Sequence, residues 1–284
     1  MGCERRHVIV TGADSGIGEA TASRLAQTGF HVLRGSRRDH SGDPGKDWLA
    51  LDVTEPDQIV VAAEQVSDHV GEAGLDALVN VAGIGISEPL EVLALDRLRQ
   101  SFEVNTVGQL GLTQAMLPLL RTAQGRIVFV GSIGDRMTVP YAGPLTSSKW
   151  AVAALAFTLR QELAPWNIEV VLVEPASIHT PAVEEMERAV EQTISSWTPE
   201  QQALYEDSFT VVMAKFLEGE KRGSPPSEVA EIIEKALTVD HPKDRYLVGK
   251  DAHRLALVAQ LPQTLQDAAR RRLFGLPERG SAVE

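Results

Sequence analysis

Apolar positions recur along this chain in two rhythms. Short, nearly unbroken apolar runs at residues 7–10, 31–33, 49–51, 75–81, 126–130, 168–173 and 246–248 predict strands covered on both faces. Between them the spacing becomes helical. Ile17, Ala20, Ala22, Leu25 and Ala26 predict a helix over 17–28 that Gly29 stops. Further helices are predicted over 55–70 and 147–163, the latter with Val152, Leu155, Ala156 and Leu159 on one face. Residues 90–122 read as one long, largely helical region, which Gly125 ends. Strands alternating with helices predict βαβ units and a parallel sheet. There is no internal repeat, and the single loop-like stretch, 223–226, is too short to divide domains.

Two later segments depart from this alternation. Thr198, Pro199 and Gln201 form a helix start, with Thr as N-cap, Pro at the first helical position and Gln at the third. After it, Tyr205, Phe209, Met213 and Phe216 fall close to one face. Such a stripe suits either a lipophilic ligand or packing on the body or a partner subunit. The tail carries Leu255, Val258, Leu261, Leu265 and Leu273 at spacings suited to a helical cap, while Arg270–Arg272 reads as a solvated face.

Composition narrows the function class. The chain has 284 residues, 43% of them hydrophobic, and a net charge of -12. That balance supports a sizeable core and argues against broad nucleic-acid binding. Cys3 is the only cysteine, so no intrachain disulfide forms and a reducing cytoplasm is expected. No apolar run is long enough for a membrane span, and Gly2-Cys3 reads as an ordinary arm rather than an acylation signal, since Arg6 stands where such a signal needs Ser or Thr. No metal-ligand cluster is expected.

The candidate chemistry begins at the first strand-to-helix turn, Thr11-Gly12-Ala13-Asp14-Ser15-Gly16-Ile17-Gly18. Gly12 permits a tight exit from the strand, Gly16 lets the backbone approach a pyrophosphate, and Gly18 allows close helix packing. A strand before and a helix behind give the context a dinucleotide site needs, with the helix N-terminus facing the phosphates.

This G-x-x-x-G-x-G spacing resembles that of the short-chain dehydrogenase/reductase family, and other segments over about residues 5–250 resemble it too. They are Asp52-Val53 after the third strand, Asn80-Val81-Ala82-Gly83 after the fourth, and Asn105 within F-E-V-N. Ser132 and Lys149, 17 positions apart, complete the set with Pro175, Ile178 and Thr180 in E-P-A-S-I-H-T-P. The resemblance implies a single doubly wound Rossmann domain over 1–284, with a helical substrate lid at 180–223 and a C-terminal helical extension at 252–284. It implies a nicotinamide cofactor held by Gly12, Ser15, Gly16, Ile17, Gly18, Asp52, Val53, Asn80, Ala82, Gly83, Lys149, Pro175, Ile178 and Thr180. The branch with retinol and 17β-hydroxysteroid dehydrogenases is the most similar, through Leu159-Arg-Gln-Glu-Leu-Ala-Pro-Trp166 and the long tail.

After the second strand the chain reads Leu33-Arg34-Gly35-Ser36-Arg37-Arg38-Asp39, without an early carboxylate for a ribose 2′-hydroxyl. Arg37, helped by Ser36 and Arg38, suits a 2′-phosphate, so the expected cofactor is NADP(H) rather than NAD(H), unless these arginines are merely solvated.

In the family a serine binds the substrate oxygen, a tyrosine passes the proton, a lysine lowers the phenol's pKa and holds the ribose, and an asparagine supports a water relay. The resemblance assigns Ser132, Lys149 and Asn105 to three of these roles. The fourth position, one helical turn before Lys149, holds Leu145, which exchanges no proton. Tyr141 is a candidate replacement, although Pro144 suits the first turn of the helix and leaves Tyr141 in the loop before it. Asp135 and His179 are further titratable groups near the cleft, read as surface or packing residues. Ala176 stands where the family commonly has glycine.

Two readings therefore stay open. One is an NADP(H)-dependent oxidoreductase acting on a lipophilic alcohol/carbonyl pair with impaired or non-standard proton transfer. The other is a catalytically silent NADP(H) binder acting as sensor or partner subunit. The resemblance also favours a homodimer or homotetramer formed through 90–122 and 147–163.

Overall fold

The computed structural model of the chain describes residues 6–43, 45–278 and 280. Cys3 and the Gly2-Cys3 arm lie outside the described residues.

Seven parallel strands form one sheet: β1 (His7–Thr11), β2 (His31–Ser36), β3 (Asp47–Ala50), β4 (Ala77–Asn80), β5 (Arg126–Val130), β6 (Glu169–Pro175) and β7 (Arg245–Val248), in the order β3-β2-β1-β4-β5-β6-β7. The order reverses between β1 and β4, so the sheet is doubly wound and a crevice opens at the carboxyl ends of those two strands.

Side chains alternate across each strand and fill two cores. On one face Ile9, Leu78, Ile127 and Phe129 meet α2 (Pro56–Val70), α4 (Gly108–Ala123) and α5 (Gly143–Leu163) through Val66, Met116 and Val152. On the other, Val8, Val10, Val128 and Val171 meet α1 (Gly16–Gln27) and α8 (Pro226–Thr238) through Leu25, Val229 and Ile233. The remaining helices are α3 (Leu95–Phe102), α6 (Pro181–Ser195), α7 (Pro199–Lys221), α9 (Ala252–Val258) and α10 (Gln263–Phe274). The doubly wound α/β expectation therefore holds, with helices over both faces of the sheet.

Several boundaries move for identifiable reasons. The long helical region over 90–122 is two helices joined by a π-helical turn at Glu103–Val107. β2 runs on to Ser36, which buries Arg34 at 5% exposure in its outer half and leaves only Arg37 and Arg38 in solvent. The third strand ends before Leu51, whose N–H still donates to Ser36 O at 2.8 Å. Leu75 precedes β4 because its N–H turns aside to Leu119 O, 3.0 Å away. α5 begins four residues ahead of 147, at Gly143, with Pro144 in its first turn. The tail is broken by Pro262 into α9 and α10, and α10 packs on α7. α6 and α8 are not read from the sequence as separate helices. Among the described residues, no helix is long and apolar enough to cross a membrane.

Candidate functional site

The crevice starts with Thr11 at the end of β1. Its Oγ1 accepts from the N–H groups of Val81 and Ala82, both at 2.9 Å, and so ties the first turn to the segment after β4. The glycine turn is tight for geometric reasons. Gly16 has φ of 52°, and a β-carbon there would lie 3.2 Å from Thr180 Cβ. A β-carbon on Gly18 would lie 2.0 Å from the Gly12 carbonyl oxygen, so only glycine lets α1 start this close to β1. Gly12 also has positive φ, 62°. Ser15 is the N-cap residue of α1, but its side chain caps nothing and has no hydrogen-bond partner among the described residues. The first-turn N–H groups of Gly16, Ile17 and Gly18 face outward at the positive end of the helix dipole, a ready anion site.

Another side of the crevice is formed at the ends of β2 and β3. Asp52 Oδ1 accepts from Thr54 N at 2.9 Å and Thr54 Oγ1 at 2.8 Å, which holds the carboxylate in place just beyond β3. Val53 is buried, and its carbonyl packs where a β-carbon on Gly108 would sit, at 2.4 Å. Beyond β2, Ser36 Oγ is occupied by Arg38 N at 3.0 Å and by His40 Nε2 at 3.1 Å. Arg38 pairs with Asp14 of the glycine turn at 3.2 Å. Arg34 lies 5.9 Å from the Trp48 ring centroid, its pKa drawn down by burial. Arg37 is exposed and has no ion-pair partner among the described residues, so it is the arginine here with its charge free.

The middle of the crevice is built on Asn80 and Asn105. Asn80 is fully buried and donates to Thr113 Oγ1 at 3.1 Å. Ala82 O accepts from Gln109 Nε2 at 2.7 Å. Asn105 lies in the π-helical turn, a device that re-aims side chains at functional sites. Its Oδ1 accepts from Ile84 N at 2.8 Å, and its Nδ2 donates to Ile84 O at 3.0 Å and Ser148 Oγ at 2.9 Å. The position of a β-carbon on Gly83 lies 3.2 Å from Asn105 Oδ1 and 3.7 Å from Lys149 Nζ, which brings Gly83, Asn105 and Lys149 together.

Lys149 is buried on α5 and donates to Val130 O at 2.8 Å. Burial lowers its pKa to about 8, against an opposing pull from Asp135. Ser132 follows β5 by two residues. Its Oγ accepts from Gly134 N at 3.0 Å, and its own N–H donates to Asp135 Oδ2 at 3.3 Å. The serine hydroxyl proton has no acceptor among the described residues. Asp135 is buried, not a surface group. Burial, reinforced by Glu174 beside it, raises its carboxyl to about 8. Arg245 donates to Asp135 Oδ1 at 2.9 Å, and Arg136 grips Glu174 with two bonds of 2.7 Å. Burial pushes Glu174 up, but the two arginines outweigh it and hold its pKa below the usual carboxylate value. Sequence reasoning missed this four-residue ionic cluster, because Glu174 and Arg245 meet only through the pairing of β6 with β7.

Leu145 lies one turn before Lys149 in α5. A β-carbon built on Gly85 would lie 4.0 Å from Leu145 Cδ2 and 2.7 Å from Met186 Cε of α6, so Leu145 and Met186 converge on an apolar wall. Tyr141 is not drawn toward Lys149. Its hydroxyl lies 2.8 Å from Ser208 Oγ on α7, and its ring meets Phe209 edge-on at 5.5 Å. Phe209, Met213 and Trp197 are buried with Tyr141, Tyr205 and Phe216 packed around them. Most of the aromatic stripe thus fills a small core of its own around α7. Trp197 Nε1 donates to buried Glu88 at 3.1 Å, and Tyr205 bonds Glu91, which raises the phenol to about 12.

The segment after β6 closes the crevice. Pro175 ends the strand, and Ala176 N donates to Val248 O at 2.9 Å. Ile178 is buried and donates through its N–H to Glu220 Oε2 at 3.3 Å. Burial raises Glu220 to about 7, despite that hydrogen bond. Thr180 is the N-cap residue of α6, against Gly16. His179 is exposed and pairs with Glu184 at 3.0 Å, away from the cluster.

The arrangement has known counterparts. Residues 6–191 match the family model described as short chain dehydrogenase. Retinol dehydrogenase 5 of Homo sapiens is 36% identical over 279 residues, spanning 92% of this chain and 86% of that protein. A short-chain dehydrogenase from Streptomyces avermitilis superposes with a TM-score of 0.74 at 25% identity, covering 96% of each chain. A short chain dehydrogenase from Burkholderia cenocepacia, solved in complex with NADP, superposes with a TM-score of 0.71 at 25% identity over 96% of this chain and 99% of that one. By sequence and fold together, this chain belongs to the short-chain dehydrogenase family, in its retinol dehydrogenase-like branch.

Proposed function

We propose that this protein binds NADP(H) and is an oxidoreductase of lipophilic alcohol/carbonyl pairs in which the proton-transfer step is impaired. One observation carries the reading. Asn105 and Lys149 meet beside Gly83, Ser132 stands two residues after Val130, whose carbonyl Lys149 holds, and Leu145 occupies the position one turn before Lys149.

The residues present fit the cofactor. The first turn of α1, with Ser15 free and no room for a β-carbon at Gly18, suits a pyrophosphate. Asp52 and Val53 suit the adenine end, Arg37 the 2′-phosphate, and Asn80, Ala82 and Gly83 the floor. Pro175, Ile178 and Thr180 suit the nicotinamide end. NADP(H), when bound, supplies or accepts the hydride. Lys149 keeps two N–H groups beyond its bond to Val130 for ribose hydroxyls. Ser132 offers its hydroxyl proton to a substrate oxygen. Leu145 adds no proton donor, and the loss of a positioned acid costs about 10²–10⁴ in rate. Leu145 and Met186 favour an apolar substrate, in keeping with the retinol in the human relative's name.

A second reading, a silent NADP(H) binder, is favoured by one specific feature. Tyr141, the candidate replacement acid, is engaged by Ser208 of the lid. Calorimetric titration with NADP+ and NAD+ tests the part common to both readings. Tighter binding of NADP+ is expected, and no binding of either nucleotide would remove both readings.

A further inference from the structure

We propose that Asp135 is a positioning residue for Lys149, the carboxyl that supplies the counter-charge this lysine does not find on its own helix. Three consecutive residues at the end of β5 bring the two together. Val130 O accepts from Lys149 Nζ at 2.8 Å. Gly131 follows. A β-carbon there would lie 2.6 Å from Asp135 Oδ2, so any side chain at this position would push the carboxyl away. Ser132 is third. Its N–H donates to Asp135 Oδ2 at 3.3 Å while its Oγ accepts from Gly134 N at 3.0 Å, a reciprocal cap. The backbone that holds Lys149 is therefore the backbone to which the Asp135 carboxyl is fastened.

The charges point the same way. Lys149 is buried, it bonds a neutral carbonyl, and Leu145 one turn back offers it no charge. A buried ammonium without a carboxylate nearby is costly. Burial drives the Lys149 pKa down to about 8, and Asp135 is the group that opposes the fall. The Asp135 side chain is itself shut off from solvent. It faces Glu174 of β6, Arg245 of β7 and Arg136 of its own turn, with Asp244 acting on Arg136. Burial and Glu174 raise Asp135 to about 8, so at neutral pH it keeps a proton that it shares with Glu174. As pH climbs through 8, Asp135 releases that proton, and the carboxylate so formed keeps Lys149 charged to higher pH. The two groups titrate as a pair. On the function proposed above, on which this consequence alone rests, Lys149 stays an ammonium toward the cofactor over a wider pH range.

NMR of lysine- and aspartate-labelled protein reports both groups. In the wild type the Lys149 Cε and Asp135 Cγ shifts should each show the other's inflection near pH 8. Asp135→Asn, which keeps an acceptor for Ser132 N, should lower the Lys149 midpoint by about one unit. Glu174→Gln removes the group that holds the proton on Asp135, so it should move the Lys149 midpoint the opposite way, upward. Loosened packing would admit water and raise the midpoint in both variants, so opposite signs separate charge from structure. No shared inflection in the wild type, or an Asp135→Asn midpoint at or above the wild-type one, would overturn the proposal. Calorimetry with NADP+ across the same pH range reads the consequence. Affinity should begin to fall at lower pH in Asp135→Asn than in wild type. Affinity indifferent to pH and to Asp135→Asn, with the NMR shifts as expected, would count against the cofactor role of Lys149 proposed above and support the hold of Asp135 on Lys149.

Discussion

The Tyr141 hydroxyl lies 2.8 Å from Ser208 Oγ, which joins the loop before α5 to α7. Tyr141 reaches that bond from a left-handed backbone, φ 62°, uncommon for a bulky side chain and held here by packing against Phe209 and by Glu88 N donating to Tyr141 O at 2.7 Å. The phenol nearest in sequence to Leu145 thus ties the loop before α5 to α7. Tyr141→Phe should leave any NADPH-dependent turnover unchanged, whereas loss of a true general acid would lower it by about 10²–10⁴. The same substitution should lower stability by about 1 kcal/mol through the lost hydrogen bond, measurable by urea denaturation.

On the NADP(H) reading proposed above, cofactor choice rests on Arg37. Arg34 is buried and Arg38 is paired with Asp14, so of the three Arg37 is the exposed arginine with no ion-pair partner among the described residues. Arg37→Asp should weaken NADP+ binding about 10- to 100-fold, the worth of one or two charge-assisted hydrogen bonds, and leave NAD+ binding unchanged or tighter. Equal weakening for both nucleotides would show that Arg37 does not read the 2′-phosphate.

Glu220 joins the end of α7 to the segment that ends at Thr180, through Ile178 N. Its pKa is raised to about 7 in the folded chain from an ordinary 4.5, chiefly by burial. Between those values the folded state keeps a proton that the unfolded chain has lost. Its contribution to stability is therefore fully present below pH 4.5 and is lost as pH rises through 7. Glu220→Gln keeps an acceptor for Ile178 and removes the titration. Relative to wild type it should gain stability as pH rises from about 5 to 8, by roughly 1–3 kcal/mol. Denaturation midpoints across that range check the sign, and a wild type that gains relative to the variant would contradict it.

How much of this was legible in the sequence depends on how local the cause is. The glycine turn could be read because strand, spacing and helix lie within a dozen residues. The parallel sheet followed from the alternation of two hydrophobic periods, and its doubly wound order from the family resemblance. The burial of Arg34 could not be read, since it depends on β2 extending to Ser36 beside β3. The π-helical turn at Asn105 is one extra residue in a ladder, which no apolar period marks. The small core around α7 needs Trp197 to meet Glu88 across 109 positions, and the Asp135–Glu174–Arg245 cluster needs three separate strand ends. The stripe of Tyr205, Phe209, Met213 and Phe216 was visible as a face, but its partner became visible only when Trp197 and Tyr141 were found against it.

The central claim is that the crevice lacks only its acid. The direct test is the rate of NADPH consumption with a panel of lipophilic ketones and aldehydes, for wild type against Leu145→Tyr. If Lys149 and Ser132 act as proposed, wild type should run at or near background and the variant should be faster by about 10²–10⁴. A wild type that turns over at ordinary enzymatic rates, or a correctly folded Leu145→Tyr that binds NADPH and gains nothing, would contradict it.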